Sequence, residues 1–253
     1  MHPSCLPFAD HDIETLERAT LDAVAPPEVQ TMKDWLLPLD QSTIGRAKSA
    51  VPLRHQALDV HALDVIEATY LDWGIEARFR IADVPGLHPI HERLRAMGYV
   101  PDQPTLVQVG TLKDLLALPA PATASVDTKP STRWAEVYTV PGFDAVDGAH
   151  RVRALSRSPH VIYAWVVRDD QALAAGTASL SHGWASIHGM RTVRDARGQG
   201  LASQILRGLA LEAAQRGFAH VFLQVKEDNA AAQALYARAG FHTAWRYHYW
   251  RKF

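Results

Sequence analysis

Met190-Arg191-Thr192-Val193-Arg194-Asp195-Ala196-Arg197-Gly198-Gln199-Gly200-Leu201-Ala202 is the stretch that decides how this chain is read. Before it, Trp184 to Val193 has the β-branched and aromatic content of a strand. After it, apolar residues fall at Leu201, Ile205, Leu206, Leu209 and Ala213, the spacing of one helical face. The segment is therefore a strand-to-helix turn. Its two glycines stand where the backbone must bend sharply and where a ligand would come close. The first amides of the helix, from Gly200 to Ser203, find no partner inside it and carry the positive end of its dipole, a setting suited to phosphate. Neither Gly-x-x-x-x-Gly-Lys-Ser/Thr nor Gly-x-Gly-x-x-Gly occurs, which argues against a P-loop NTPase and a dinucleotide fold.

Outward from this turn the pattern alternates strands and helices. Val161–Val167 reads as a strand, Arg168–Gln171 as a tight turn, and Ala172–Ser181 as a second strand that turns at His182-Gly183 into the third. Gly217 is a natural left-handed stop for the helix. Val221, Leu223 and Val225 alternate with Phe222, Gln224 and Lys226 in another strand, a helix runs from Asn229 to Gly240, and the aromatic tail His242–Tyr249 predicts a last strand. Thr132–Arg157 is helical material interrupted at Pro141-Gly142.

Arg197-Gly198-Gln199-Gly200-Leu201-Ala202 resembles the Arg/Gln-x-x-Gly-x-Gly/Ala motif of the GCN5-related N-acetyltransferases (GNAT). Asn229-Ala230-Ala231-Ala232-Gln233-Ala234-Leu235-Tyr236-Ala237-Arg238-Ala239-Gly240-Phe241 is similar to that family's second signature, at the expected distance from the first. The resemblance implies an α/β fold of mixed, mainly antiparallel sheet flanked by helices, with acetyl-coenzyme A as cosubstrate. It implies that Arg197, Gly198, Gln199, Gly200, Leu201, Ala202 and Ser203 hold the pyrophosphate, that the backbone of Met190 and Thr192 pairs with the pantetheine arm, and that Asn229 steadies the cofactor or the next helix. Tyr236 matches the usual general acid for the departing thiolate. Asn229 also caps a helix with or without coenzyme A, and Tyr236 also fits as core between Ala232, Leu235 and Ala239. No base is identified: His188 has a useful intrinsic pKa but reads more simply as a satisfied structural histidine, and Glu136 and Glu227 have no positive support.

The chain also repeats. A shift of 142 residues carries Phe79 and Ile81 onto Val221 and Leu223, and Gly98-Tyr99 onto Gly240-Phe241; Gly74 falls one residue from Gly217, after a comparable helix (Ala57–Trp73). Thr105–Val109 follows the first copy as the aromatic tail follows the second. Two related halves are expected, 1–118 and 132–253, joined by a Pro/Ala-rich linker over 119–131. In the first half Arg54-His55-Gln56-Ala57 stands where Arg197–Gly200 stands in the second. Both glycines are missing, and Leu94 replaces Tyr236. The first half thus reads as a degenerate GNAT-like domain, similar to the N-terminal part of some two-domain members, that packs on the second and walls an acceptor cleft.

Composition bounds the rest. The 253 residues are 47% hydrophobic and 21% charged, a globular balance, and 26 basic against 27 acidic residues leave no basic footprint for nucleic acid. One cysteine, Cys5, excludes an internal disulfide and fits a reducing compartment. No apolar run reaches membrane-spanning length and the start lacks a secretory pattern, so a cytoplasmic protein without membrane contact is expected, monomer or homodimer. His88-x-x-His91 lacks a third ligand, and no metal is expected. The tryptophans are assigned to core and cleft. The reading is an N-acetyltransferase that moves an acetyl group to a primary amine, small molecule or peptide, by direct attack in a ternary complex. A non-catalytic acyl-coenzyme A sensor is the alternative, and a structural interaction protein with a vestigial loop a third.

Overall fold

The structure is a computed structural model and describes residues 8–253. Cys5 and the chain start lie outside the described residues. The first half holds α1 (Asp10–Val24), β1 (Glu28–Met32), β2 (Trp35–Leu39), β3 (Val51–Pro52), α2 (Ala62–Asp72), β4 (Phe79–Ala82), α3 (His88–Ala96), β5 (Val100–Thr111) and α4 (Leu112–Leu116). The second holds β6 (Ser125–Asp127), α5 (Thr132–Glu136), α6 (Ala145–Arg157), β7 (Val161–Arg168), β8 (Gln171–Ser181), β9 (Trp184–Thr192), α7 (Leu201–Gln215), β10 (His220–Lys226), α8 (Ala230–Arg238) and β11 (His242–Arg251).

The local chemistry explains most of these boundaries. Asp169 and Asp170, then His182 and Gly183, take left-handed conformations in the two tight hairpins that join β7 to β8 and β8 to β9. Gly217 and Gly240 close α7 and α8 with φ of +82° and +84°. Asn229 caps α8 by accepting a hydrogen bond from the Ala232 amide at 3.2 Å. Two expectations shift. The helix expected from Ala57 starts only at Ala62, because Ala57 itself is left-handed (φ +53°). Within the expected linker, Ser125–Asp127 is an edge strand paired with β7, and Val126 and Ala124 pack on Gly208 of α7.

A three-stranded antiparallel sheet (β1-β2-β3) stands beside an eight-stranded one, ordered β4-β11-β5-β10-β9-β8-β7-β6. The large sheet is antiparallel except between β9 and β10. This is the mixed, mainly antiparallel α/β class expected, but the two halves share one sheet, because they exchange strands. β11 pairs with β4 and β5 of the first half, while β5 pairs with β10 of the second. The order β4-β11-β5-β10 reads the same when β4 is exchanged with β10 and β5 with β11. His242 faces Val109 and Arg251 faces Val100. The shift of 142 carries Val100 onto His242 and Val109 onto Arg251. The paired stretches 100–109 and 242–251 are thus offset by the same 142 residues.

Packing follows the same division. Ile205, Leu206 and Leu209 of α7 bury their face against Ile162, Ala178 and Ile187. Leu63, Ile66 and Tyr70 of α2 and Ile90 and Leu94 of α3 cover Phe79, Ile81, Val107, Tyr247 and Trp250. Trp35, Trp134 and Trp250 are buried as expected, whereas Trp73 is 43% exposed. His91 is packed flat on Trp250, with Nε2 3.0 Å from the Ala82 carbonyl, so its ring serves the core. Among the described residues no cluster of three potential metal ligands occurs, and no helix is long and apolar enough to cross a membrane.

Candidate active site

A bulge in β9 opens the sheet. Thr177 faces His188 and Ala175 faces Arg191, so Gly189 and Met190 share the single partner position of Gly176. Gly189 takes φ +63°, and its carbonyl accepts a 2.6 Å hydrogen bond from the Tyr138 hydroxyl. A Cβ there would lie 2.6 Å from that hydroxyl oxygen, and one on Gly176 would lie 2.5 Å from Met190 Sδ. Gly189, left-handed and pressed by Tyr138 and Leu155, needs glycine, and a side chain on Gly176 would displace Met190 and crowd Ile205. The bulge bends β9 away from β10, and their parallel pairing, which starts at Trp184 with His220, ends at Ile187 with Leu223. From His188 to Thr192 the side of β9 toward β10 has no strand partner.

One cavity fills the opening and a second adjoins it. The first, about 270 Å³, is lined by His188–Arg191 of β9, Leu223–Lys226 of β10, and Asn229 and Tyr236 of α8, with Arg46 and Arg151 at its side. The expected site residues Met190, Asn229 and Tyr236 thus meet there. Tyr236 is 7% exposed, packs edge-to-face on Phe241, and its hydroxyl is pushed up to about 12 by burial, so it stays protonated at neutral pH. His188 is buried with Nε2 against the Ser186 hydroxyl and Nδ1 without a partner. Burial, aided by the Arg46 charge, holds its pKa well below the usual histidine value, so the ring is neutral. It is therefore not the fully satisfied structural histidine of the sequence reading. Glu227 is drawn to Arg246, and Glu136 to Arg133.

Thr192 leads from this opening to the glycine turn. Gly198 and Gly200 take φ of +77° and +74°. No backbone or side-chain acceptor among the described residues engages the amides of Gly198, Gln199, Gly200, Leu201, Ala202 or Ser203; the first bond of the helix is Gln204 to Gly200. A Cβ on Gly198 would meet nothing within 4 Å, so the approach is open. Leu201 turns its side chain into the core. Arg197 Nε reaches the Thr192 carbonyl at 3.4 Å, and Arg168 holds Gln199 at 2.8 Å. Unpaired amides at a helix N-terminus and an open strand edge running to them fit a phosphate-ended, extended group such as coenzyme A.

The second cavity, about 350 Å³, shares Arg46, Arg151, Gln224 and Lys226 with the first and runs over to the first half. It lies where β5 extends past the end of β10. Pro101 and Pro104 stand in this overhang, where one edge of the strand lacks a partner. Tyr247 donates to Gln224 at 3.0 Å, and Gln224 also holds Thr20 of α1 at 3.1 Å. Asp147 bridges Arg151 (2.6 Å) and Arg191 (2.7 Å). Burial alone would raise its carboxyl pKa, but the bond to Arg151 and the neighbouring charges outweigh it and hold the group lower than usual.

Arg46, Arg151, Arg191 and Tyr138 were missed by the sequence reading. Only Tyr138 had a usable signal: Gly189 inside a strand pattern marks a bulge, and a bulge needs something to hold it. In the first half the turn at Arg54–Ala57, expected from the sequence to correspond to the glycine loop, is packed against protein. Arg54 pairs with Asp34 at 2.7 Å, His55 packs edge-on to Trp245, and the His55 carbonyl abuts Gly86.

A splayed pair of parallel strands, a bulge at the split and a glycine turn with free amides define the fold of a GCN5-related N-acetyltransferase. Residues 10–250 match the family model described as "Probable histone acetyltransferase Rv0428c C-terminal", and the chain belongs to that family. It is 28% identical over 125 residues to "Uncharacterized N-acetyltransferase YobR" of Bacillus subtilis (strain 168), covering 49% of this chain and 51% of that one. The match thus spans about half the length of that curated relative. Its fold is similar to that of a GCN5-related N-acetyltransferase from Kribbella flavida (TM-score 0.71, 16% identity, 98% of this chain and 96% of the other). A tandem GNAT protein from the clavulanic acid biosynthesis pathway is also similar (TM-score 0.61, 16% identity, 97% and 96%).

Proposed function

We propose that the protein transfers an acetyl group from acetyl-coenzyme A to a primary amine by direct attack in a ternary complex. The observation that carries this reading is the continuous path from the free amides of Gly198–Ser203, along the unpaired edge of β9, to Tyr236. When bound, acetyl-coenzyme A supplies the acetyl thioester. The loop amides, with Arg197 beside them, bind the anionic end, and the backbone of Met190 and Thr192 holds the extended arm. Asn229 keeps α8, and with it Tyr236, in place. Tyr236 holds a proton for the leaving sulfur, and its raised pKa keeps that proton available. The amine attacks in its neutral form. His188, held neutral by burial and by the Arg46 charge, adds no positive charge beside it. The proton the amine sheds passes to water in the open cavity. The first half is degenerate: Leu94 replaces the acid, and Arg54–Ala57 packs where a ligand would lie.

Calorimetric titration with acetyl-coenzyme A, beside a Gly200→Glu variant, tests the reading. The expected result is one site per chain, lost in the variant, whose carboxylate would meet the phosphates and whose Cβ would press Pro121 at 3.2 Å. Two sites per chain would overturn the degenerate reading of the first half, and no binding would overturn the transferase reading.

A further inference from the structure

Six cations line the two joined cavities: Arg46, Arg78, Arg151, Arg191, Lys226 and Arg251. Among the described residues Asp102 is the only carboxylate lining them, although the chain as a whole carries a net charge of −1. Three acids neutralise part of this wall: Asp147 pairs with Arg151 and Arg191, Asp102 with Arg251, and Glu76 with Arg78. Among the described residues no carboxylate lies within salt-bridge distance of Arg46 or Lys226. Arg46 is the more telling. Its Nη1 reaches only the Gln224 carboxamide oxygen at 3.4 Å, and its Nε is buried with no partner. Arg191 Nη1 and Arg251 Nε are likewise buried without acceptors. A wall with more cations than carboxylates, and with Arg46 and Lys226 lacking a carboxylate partner, is one that a bound anion would complete.

We infer that the acceptor is a small amine that carries an anionic group, carboxylate or phosphate, bound at the Arg46 side of the second cavity with its amine toward Tyr236. This rests on the acetyl-transfer reading above. Planar guanidinium groups suit both anions, because each offers paired donors to two oxygens. A cavity of about 350 Å³ suits a small molecule. The same positive wall opposes a lysine-rich tail, the substrate that the family description would suggest. It also favours the neutral form of a bound amine, which is the form that attacks. Arg46 comes from the first half, so that half supplies specificity.

The test measures binding first without acetyl-coenzyme A. Phosphoethanolamine is compared with ethanolamine, 4-aminobutyrate with butylamine, and both with a lysine-rich peptide, by calorimetry and thermal shift. The expected result is that the anionic member of at least one pair binds about tenfold tighter than its neutral counterpart, and less tightly as salt is added. Whichever pair separates more identifies the anion. Arg46→Gln should abolish the preference, and Arg78→Gln, at the far wall, should weaken it. With acetyl-coenzyme A present, thiol release should show the same order in kcat/KM. Equal binding of the neutral amines, preference for the lysine-rich peptide, or an unchanged preference in folded Arg46→Gln would overturn the inference. Failure of wild type to bind acetyl-coenzyme A would count against the transferase reading alone, since anion binding is read without it.

Discussion

Glu17→Gln should destabilise the protein severely. Glu17 on α1 and Arg80 on β4 are 2% and 1% exposed, and the two guanidinium Nη atoms meet the two carboxylate oxygens at 3.0 and 2.5 Å. Arg80 Nε is buried without a partner, so the carboxylate is the main compensation for a fully desolvated cation. Removing one member of such a pair costs about 3–5 kcal/mol. For a chain of this size that corresponds to a fall in Tm of roughly 6–20 °C. The surface pair Arg18–Glu14, 34% and 42% exposed, is the control, and Glu14→Gln should cost no more than about 0.5 kcal/mol. Thermal and urea unfolding followed by circular dichroism measure both. The double variant Glu17→Leu/Arg80→Met should recover most of the loss, since the buried charge is then gone. The loss also reaches the cleft, because Arg80 lies 5.3 Å from the centre of the Tyr247 ring and Tyr247 holds Gln224. A Tm for Glu17→Gln within about 2 °C of wild type, or a double variant as unstable as the single, would refute the reasoning.

Tyr236→Phe should lower kcat by about 10²-fold or more while leaving acetyl-coenzyme A affinity intact, as steady-state kinetics and calorimetry would show; equal losses in both would assign Tyr236 to packing. Gly189→Ala should cost about 2–5 kcal/mol in urea unfolding, from a left-handed Cβ and contact with Tyr138 Oη at 2.6 Å and Leu155 Cδ1 at 2.8 Å. His55 is held at about 4 by burial, with Arg80 adding to the effect, so the unfolded chain binds the proton first as pH falls below 6.5. Stability should therefore drop between pH 6.5 and 4, by up to about 3 kcal/mol from this residue. His55→Gln, compared by urea midpoints at several pH values, should flatten that part of the dependence.

The second half was legible because its signals are local. Alternation marks β10, Gly217 and Gly240 mark helix ends, and the glycine turn marks a free helix N-terminus whatever the fold around it. The repeat was legible too, since Phe79/Val221 and Gly98/Gly240 keep their order. Strand exchange was not. A strand's neighbours are chosen through backbone hydrogen bonds, which every residue but proline offers alike, so nothing in Val100–Thr111 says that it lies between β10 and β11. The acceptor-side cations escaped for a related reason. Arg46, Arg151 and Arg251 are far apart in sequence and belong to no motif; only the sheet brings them together.

That exchange makes a demanding prediction about the halves themselves. The Pro/Ala-rich stretch invites a cut near residue 121, yet a chain ending there would keep β5 without β10 or β11, and β4 without β11. The fragment beginning there would lose β5 from between β10 and β11, leaving β11 with no neighbour in the large sheet. Each fragment would then expose long unpaired strand edges and half of a shared core, a condition that favours aggregation. Expressed singly, residues 8–121 and 122–253 should be insoluble or lack cooperative unfolding; co-expressed, they should associate into a complex with near-native unfolding. Should the second fragment fold alone and bind acetyl-coenzyme A, the exchanged pairing would not be what holds β10 and β9 in their splayed geometry, and the halves would be separable domains after all. Because Arg46 is supplied by one fragment and Tyr236 by the other, the same complex also tests whether one functional site is built from both.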